Sequence, residues 1–392
     1  VEGGKMNALE LLDIIESGET SRVQFKENLT SPDKFAAEMV AMSNSMGGVI
    51  LLGVRDKTGE IIGLSYDELR DYNNKIGDIA TNNIIPLIYV ITEVVSMEDK
   101  KKILLVYITE GVNKPYKDKK LAVWVKQSSD KRRVTDNTEM LRLFQRSGNL
   151  YADEMEVYNT AIKDINENNF IRYFKKEFEE DIEATGLEYS RILNNLNILR
   201  NERLTLGGLL FFGSDPQRFK PAFCIKAVSF FGNDIGSSEY RDSKDIQGTI
   251  PEMFEKGMSF FTSNLKWEQK GQNFNSTGIL EVSKIALEEL LQNALVHRDY
   301  LKNAPLRLLI FDNRIEIISP GSLPNNLTVE NIKFGNVVVR NNLLATFCAK
   351  TMNYRGLGSG IKRSLKEQPD IEFTNDVEGE QFIVTIPRKT EQ

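Results

Sequence analysis

Ala8, Leu9, Leu11, Leu12, Ile14 and Ile15 recur at helical spacing and Gly18 follows as a stop, which predicts a helix over 8–17. Val23-Gln24-Phe25-Lys26 alternates like a half-buried strand, and 33–45 reads as a second helix that breaks at Gly47-Gly48. Residues 49–54 form a continuous apolar run of strand length, 56–59 a turn and 67–83 a helix. Strands are predicted at 84–95, 102–108 and 121–125, and a helix at 137–148 closes a first unit. Residues 151–190 turn acidic, with 11 acidic against 4 basic residues, the pattern of a solvated helical face. Strand-like runs at 204–212 and 223–231 flank a loop, and 251–265 is an amphipathic helix. The polar segment 268–278 reads as a linker or exposed loop, 282–296 as a clear helix, and 306–318 as strand–turn–strand. This order gives an α+β fold with a mixed sheet.

Length and charge sharpen that picture. The 392 residues suit two or three domains, divided here as 1–150, an α/β connector at 151–275, and 276–392. No run approaches the ~18–20 apolar residues of a membrane span, and residues 1–7 lack the apolar core of a secretory signal. The expectation is a cytoplasmic protein with no membrane partner. Cys224 and Cys348 lack metal-ligand spacing and read as free thiols, and a single histidine, His297, excludes zinc sites built on two or more. The net charge of −6 means that any contact with nucleic acid comes from a local patch. Residues 101–133 supply one, with 10 basic against 3 acidic residues. Lys114, Lys117, Lys119, Lys120, Lys126, Lys131, Arg132 and Arg133 are interleaved there with Tyr116 and Trp124. Cations meet phosphates and an aromatic face stacks on an unpaired base. The alternative is a solvated hairpin with Trp124 in the core.

Near the N-terminus, Glu19, Lys26 and Asp56 are placed to converge at strand ends, where two carboxylates and a lysine can hold Mg²⁺ or Mn²⁺ against a phosphodiester. Surface charges around a turn are the competing reading. The run GETSRVQFKENL … FAAEMVAMSNSMGGVILLGVRDKTGEIIGL resembles the Schlafen AlbA-type domain over roughly 8–148. That resemblance implies nucleic-acid binding and, in its nuclease members, three carboxylates that fall here on Glu19, Gln24 and Asp56. The second is an amide in this chain, a far weaker ligand for a hard cation.

Toward the C-terminus, Glu289, Asn293 and His297 in LEELLQNALVHRDY lie four apart and share one helical face. A carboxylate and an amide at that spacing suit a water-polarising base and a Mg²⁺ ligand; a polar face that touches nothing is the alternative. NRIEIISPG is a strand ending in a turn, and GLGSGI a glycine-rich loop before a helix whose N–H groups can face phosphates. Together these runs resemble the GHKL-type ATPase domain of RecG-like proteins and related transcriptional regulators. The resemblance implies ATP with Mg²⁺, Glu289 as general base and Asn293 on the metal. It further places Ser319 and Gly321 at the adenine-reading turn, and Gly356, Gly358 and Gly360 in the phosphate loop. His297, Arg298, Asp299 and Tyr300 read as a helix cap that pins the next strand. No Walker P-loop and no winged helix is legible.

The function expected is an ATP-responsive nucleic-acid-binding regulator whose partners are DNA or RNA, nucleotide and further copies of itself. A metal-dependent Schlafen-like nuclease acting on RNA or single-stranded DNA, in a phage-defence role, is the runner-up. A scaffold with an inactive ATP site is third.

Overall fold

The computed structural model describes residues 6–97, 99–148, 150–268, 278–324, 327–352, 354, 356 and 358–388. The expected linker at 268–278 therefore lies almost wholly outside the described residues. The chain divides into two compact units, 1–150 and 151–392. Both are α+β.

The smaller unit is built on a four-stranded mixed sheet in the order Val23–Lys26, Gly48–Leu52, Lys102–Ile108, Val90–Ser96, with only the first pair parallel. Because side chains alternate across a strand, Leu51 and Leu105 join Phe25, Leu11 and Ile15 on one face. Ile50, Leu52, Leu104 and Val106 pack on the other against the helices Pro32–Asn44 and Tyr66–Asn82. The apolar run at 84–95 is not one strand. Pro86 interrupts it, since a proline offers no N–H to a ladder, and the chain pairs as Ile84–Ile85 and again as Val90–Ser96. Asn44, at the end of its helix, is buried and uses its whole amide. Nδ2 donates to the carbonyls of Tyr116 and Trp124, each at 2.9 Å, and Oδ1 accepts from Tyr116 N at 2.8 Å. Together with Ser45 Oγ, which accepts from Lys126 N at 2.8 Å, this side chain fastens the hairpin Trp124–Gln127/Asp130–Arg133 to the body of the unit.

The larger unit carries a six-stranded sheet in the order Tyr240–Ile246, Ile225–Phe230, Leu306–Ile310, Arg314–Pro320, Gln381–Pro387, Glu372–Asp376. All neighbours are antiparallel except Ile225–Phe230 with Leu306–Ile310. The segment read as a connector thus supplies two strands of the same sheet as the C-terminal segment. Ala227, Leu308 and Ile317 face a core shared with the helices Ile250–Asn264 and Lys284–His297. Phe230, Leu309, Phe311 and Ile318 form a smaller cluster on the reverse face.

The run 204–212, expected as a strand, is instead the helix Leu206–Phe212. All seven of its residues are buried, so no polar side reveals its period. Thr205 decides the matter as an N-cap, accepting from Gly208 N at 3.0 Å. The polar edge strand Tyr240–Ile246 carries no apolar alternation by which to be found.

Asn44→Ala leaves three backbone groups without partners, two of them in buried bonds, each worth roughly 1–3 kcal/mol when buried and unsatisfied. We expect a loss of about 3 kcal/mol in the unfolding free energy from urea titration. A loss below about 0.5 kcal/mol would show that the hairpin is held by other contacts.

Candidate nucleotide cleft and basic face

The helix Lys284–His297 is the spine of the site. Its start is capped by Ser283, which accepts from Ala286 N. Its buried residues include Leu287, Leu290, Leu291 and Leu295, which fix its rotation and turn Glu289, Asn293 and His297 toward one cleft. The end of this helix lies inside the protein, where the last carbonyls cannot reach water. Five consecutive carbonyls are met by side chains instead. Ser319 Oγ donates to Ala294 O at 3.3 Å, and Tyr300 Oη to Leu295 O at 2.8 Å. Asn341 Nδ2 serves Val296 O at 2.8 Å and Arg298 O at 2.9 Å, and Arg340 reaches His297 O at 3.4 Å. Arg298 is itself buried, its guanidinium 4.7 Å from the ring centroids of both Phe223 and Tyr300 and bonded to the carbonyls of Lys302 and Ala304.

The cleft, together with the solvent at its open mouth, spans about 1040 Å³. The residues singled out in the sequence as Glu289, Asn293, Ser319, Gly321, Gly356, Gly358 and Gly360 all line it. Its apolar wall includes Ile317, Phe373, Phe382 and Val384. Gly358 has φ +69°, and a Cβ there would stand 2.1 Å from the Gly335 carbonyl oxygen, so glycine is required on both counts. Directly after it begins the helix Ser359–Glu367. Glu289 accepts from Arg363 Nε at 2.8 Å and from a second nitrogen of the same guanidinium. Arg363 went unnoticed in the sequence; its place one turn after the glycine loop was the available signal.

These residues fit a nucleotide. An apolar slot suits a base, a helix start with a glycine loop suits phosphates, and Asn293 offers one oxygen of the kind Mg²⁺ takes alongside phosphate oxygens. Ser319 departs from a simple base reader, since its hydroxyl proton is committed to the helix carbonyl. A carboxylate at that place could not donate.

His297 Nε2 lies 2.8 Å from Tyr354 Oη. Burial, reinforced by Arg340, pushes the imidazole down to about 4.

The N-terminal carboxylates do not form a metal cage. Glu19 accepts from Gln24 Nε2 and from Phe25 N at 2.9 Å, while Asp56 pairs with Lys26 at 2.5 Å. Gln24 Oε1 accepts from Lys126 Nζ at 2.7 Å, and this ammonium also bonds the Ser129 carbonyl and stands 3.7 Å from Glu38. A lysine therefore takes the amide oxygen that would have to face a metal. Among the described residues no group of three His, Cys, Asp or Glu is placed to hold a metal ion. Glu19, Gln24 and Asp56 do not fit Mg²⁺ or Mn²⁺.

The basic run also needs correction. The Lys126 side chain is 1% exposed and Lys114 2%; Lys114 pairs with Glu110 and donates to Ser45 O at 3.2 Å. Burial lowers both ammonium pKa values. Tyr116 is buried, and the half-buried Trp124 packs on the core with Nε1 donating to Asp118 Oδ2 at 2.8 Å. None of the four is presented to a ligand as expected. Lys117, Lys119, Lys120, Lys131, Arg132 and Arg133 remain at the surface. Of these, Lys119 and Lys120 share Asp33, Lys131 pairs with Glu38, and Arg132 is bidentate to Glu139.

Comparison with known proteins fits both sites. Residues 19–135 match the family model "Schlafen, AlbA_2". Residues 303–386 match "Putative ATP-dependent DNA helicase recG C-terminal". This chain is similar to a Schlafen AlbA_2 domain at one end and to the RecG C-terminal family at the other. The AlbA_2 match spans Glu19 through the basic face, and the RecG-type match runs from Leu306–Ile310 to Gln381–Pro387, so it takes in Ser319 and the glycine loop while the spine helix precedes it. No curated protein matches the chain. Solved structures similar to it include the DIP2311 protein from Corynebacterium diphtheriae, at 20% identity over 97% of this chain and 80% of that one, TM-score 0.47. Another is the N-terminal domain of a RecG-related protein from Nitrosomonas europaea, at 21% identity over 34% of this chain and 96% of that one, TM-score 0.27. Among the described residues no helix is long and apolar enough to cross a membrane.

The unfolded His297 imidazole takes its proton near 6.5 and the folded one only near 4, so across that window the unfolded chain binds the extra proton. The folded state therefore loses up to about 3 kcal/mol as pH falls from 6.5 to 4. Asp153, raised to about 6 by burial, acts in the opposite direction between 3.8 and 6, so the comparison must be made against a His297→Gln variant. The stability difference between wild type and variant should change by that amount across the window. A pH-independent difference would show that the imidazole titrates freely.

Proposed function

We propose that this chain binds a nucleoside triphosphate with Mg²⁺ in the cleft of its larger unit and nucleic acid on the basic face of its smaller one. The observation that carries the first half is the convergence of Glu289, Asn293 and the Gly356–Gly360 loop on a single cleft with an apolar wall. These groups come from separate stretches of chain, and a polar face that touched nothing would not gather them. The match to a family described as an ATP-dependent helicase C-terminal segment supports ATP as the nucleotide. The RecG-type match implies no motor here, since no Walker loop exists in the sequence. Asn293 makes no side-chain hydrogen bond among the described residues that would have to break before a metal–nucleotide complex binds.

For the second half, the support is the AlbA_2 match together with a cationic rim of Lys117, Lys119, Lys120, Lys131, Arg132 and Arg133. With Tyr116 buried and the half-buried Trp124 packed on the core, its indole N–H committed to Asp118, base stacking is not part of the reading, and phosphate contact dominates. Such contacts are sequence-tolerant, and they suit a regulator that responds to nucleotide rather than one that reads bases. A nuclease reading draws no support from Gln24 and Lys126.

Two measurements test the proposal. Addition of ATP–Mg²⁺ should raise the melting temperature of the wild-type chain, and Asn293→Ala should weaken that binding by roughly tenfold, the loss of one metal ligand. No ATP-dependent shift in the wild type would sink the nucleotide reading and favour a scaffold. Separately, Lys119→Ala/Lys120→Ala/Arg133→Ala should lower affinity for both duplex DNA and RNA oligonucleotides. It should also reduce the slope of log K against log salt by roughly 2–3, about one per phosphate contact. An unchanged slope would place the nucleic acid elsewhere or remove it.

A further inference from the structure

The Glu289 carboxylate does not face the cleft unpaired. Oε1 is bonded by two nitrogens of Arg363, one of them at 2.8 Å, and Oε2 lies so close to Gly360 that a Cβ there would stand 2.4 Å from it. The guanidinium is braced from its third nitrogen, which donates to Ser359 Oγ at 3.2 Å. An anion already rests on the first turn of the helix Ser359–Glu367 against one guanidinium, and that anion belongs to the protein. Arg363 keeps 32% of its side chain exposed and lines the cleft beside Gly358 and Gly360. Any phosphate chain cradled by the glycine loop therefore ends within the reach of Arg363.

A guanidinium offers the same planar fork to a carboxylate and to a phosphate, and the terminal phosphate of a triphosphate carries the greater charge. We infer that Arg363 reads the terminal phosphate of the nucleotide, exchanging its Glu289 partner for that phosphate, and so separates triphosphate from diphosphate. The inference rests on the reading of the cleft as a triphosphate site. It gives Glu289 two states: clamped by Arg363 when the cleft lacks a terminal phosphate, and released toward the phosphate when one is bound. The absence of a Cβ at Gly360 is what lets the carboxylate occupy the first state at all.

The test is calorimetric titration of the full chain, in Mg²⁺, with ADP and with a non-hydrolysable ATP analogue. Arg363→Ala should weaken the analogue by about tenfold or more, the usual cost of losing a charge-assisted pair, and leave ADP within about threefold. Arg363→Lys should recover only part of that loss, because an ammonium lacks the fork. Glu289→Gln should tighten the analogue severalfold and leave ADP unchanged, since the competing carboxylate charge is gone. This last variant keeps the idea testable if Arg363→Ala fails to fold. Equal weakening of both nucleotides in Arg363→Ala, or no tightening in Glu289→Gln, overturns the role of Arg363 while the nucleotide cleft stands. A wild-type chain that binds neither nucleotide overturns the cleft reading and this inference together.

Discussion

The larger unit depends on how it ends one helix inside itself. A helix terminus leaves carbonyls without intrahelical partners, and burying them uncompensated costs several kcal/mol in total. Here Ser319, Tyr300, Asn341 and Arg340 meet the carbonyls of residues 294–298. Three separate stretches of chain are thereby tied to the end of Lys284–His297. The strand Arg314–Pro320 arrives through Ser319, the turn after the helix through Tyr300, and the segment before the helix Asn342–Thr351 through Asn341. Because Asn341 is spent on this task, it does not cap its own following helix. Asp153, far away in sequence, accepts from Leu344 N at 2.9 Å instead. The spine helix, the sheet and the segment behind the cleft are thus registered to one another by hydrogen bonds rather than by apolar packing alone.

That registration explains why a serine suits position 319. A carboxylate at this position would accept from a base but could not satisfy Ala294 O. Serine satisfies the carbonyl and keeps lone pairs toward the cleft. The histidine beside it belongs to the same economy of space. His297 stays neutral because charging it beside Arg340 in a desolvated wall is unfavourable. It is better suited to positioning Tyr354 than to proton transfer near neutral pH.

The two units treat charge differently. In the smaller one, Lys126 is drawn inside among Gln24, the Ser129 carbonyl and Glu38. A buried cation of the protein's own holds the carboxyl- and amide-bearing elements together. In the larger one, the pair Glu289–Arg363 stands at the wall of an open cleft, where a ligand of higher charge can compete for the cation. The first arrangement is closed chemistry and the second is exchangeable, which is why the cleft rather than the carboxylate cluster supports a functional reading.

Much of this was legible in the sequence. Helical spacing placed Glu289, Asn293 and His297 on one face, glycines marked the loop before Ser359–Glu367, and alternation or apolar runs marked Val23–Lys26, Gly48–Leu52, Lys102–Ile108 and Ile225–Phe230, because those signals are local. Local signals failed where every side of an element is buried, as in Leu206–Phe212, or where an edge strand is polar between its ends, as in Tyr240–Ile246. Residue type also could not say which cations face water. Lys114 and Lys126 look in the sequence like Lys119 and Lys120, yet two are buried and two exposed, because burial is decided by what packs over a strand and not by the strand's own letters. The partner of Glu289, 74 positions away along the chain, was likewise a matter of tertiary structure: ion pairs form across space, and only the folded arrangement of two helices brings Arg363 to that carboxylate.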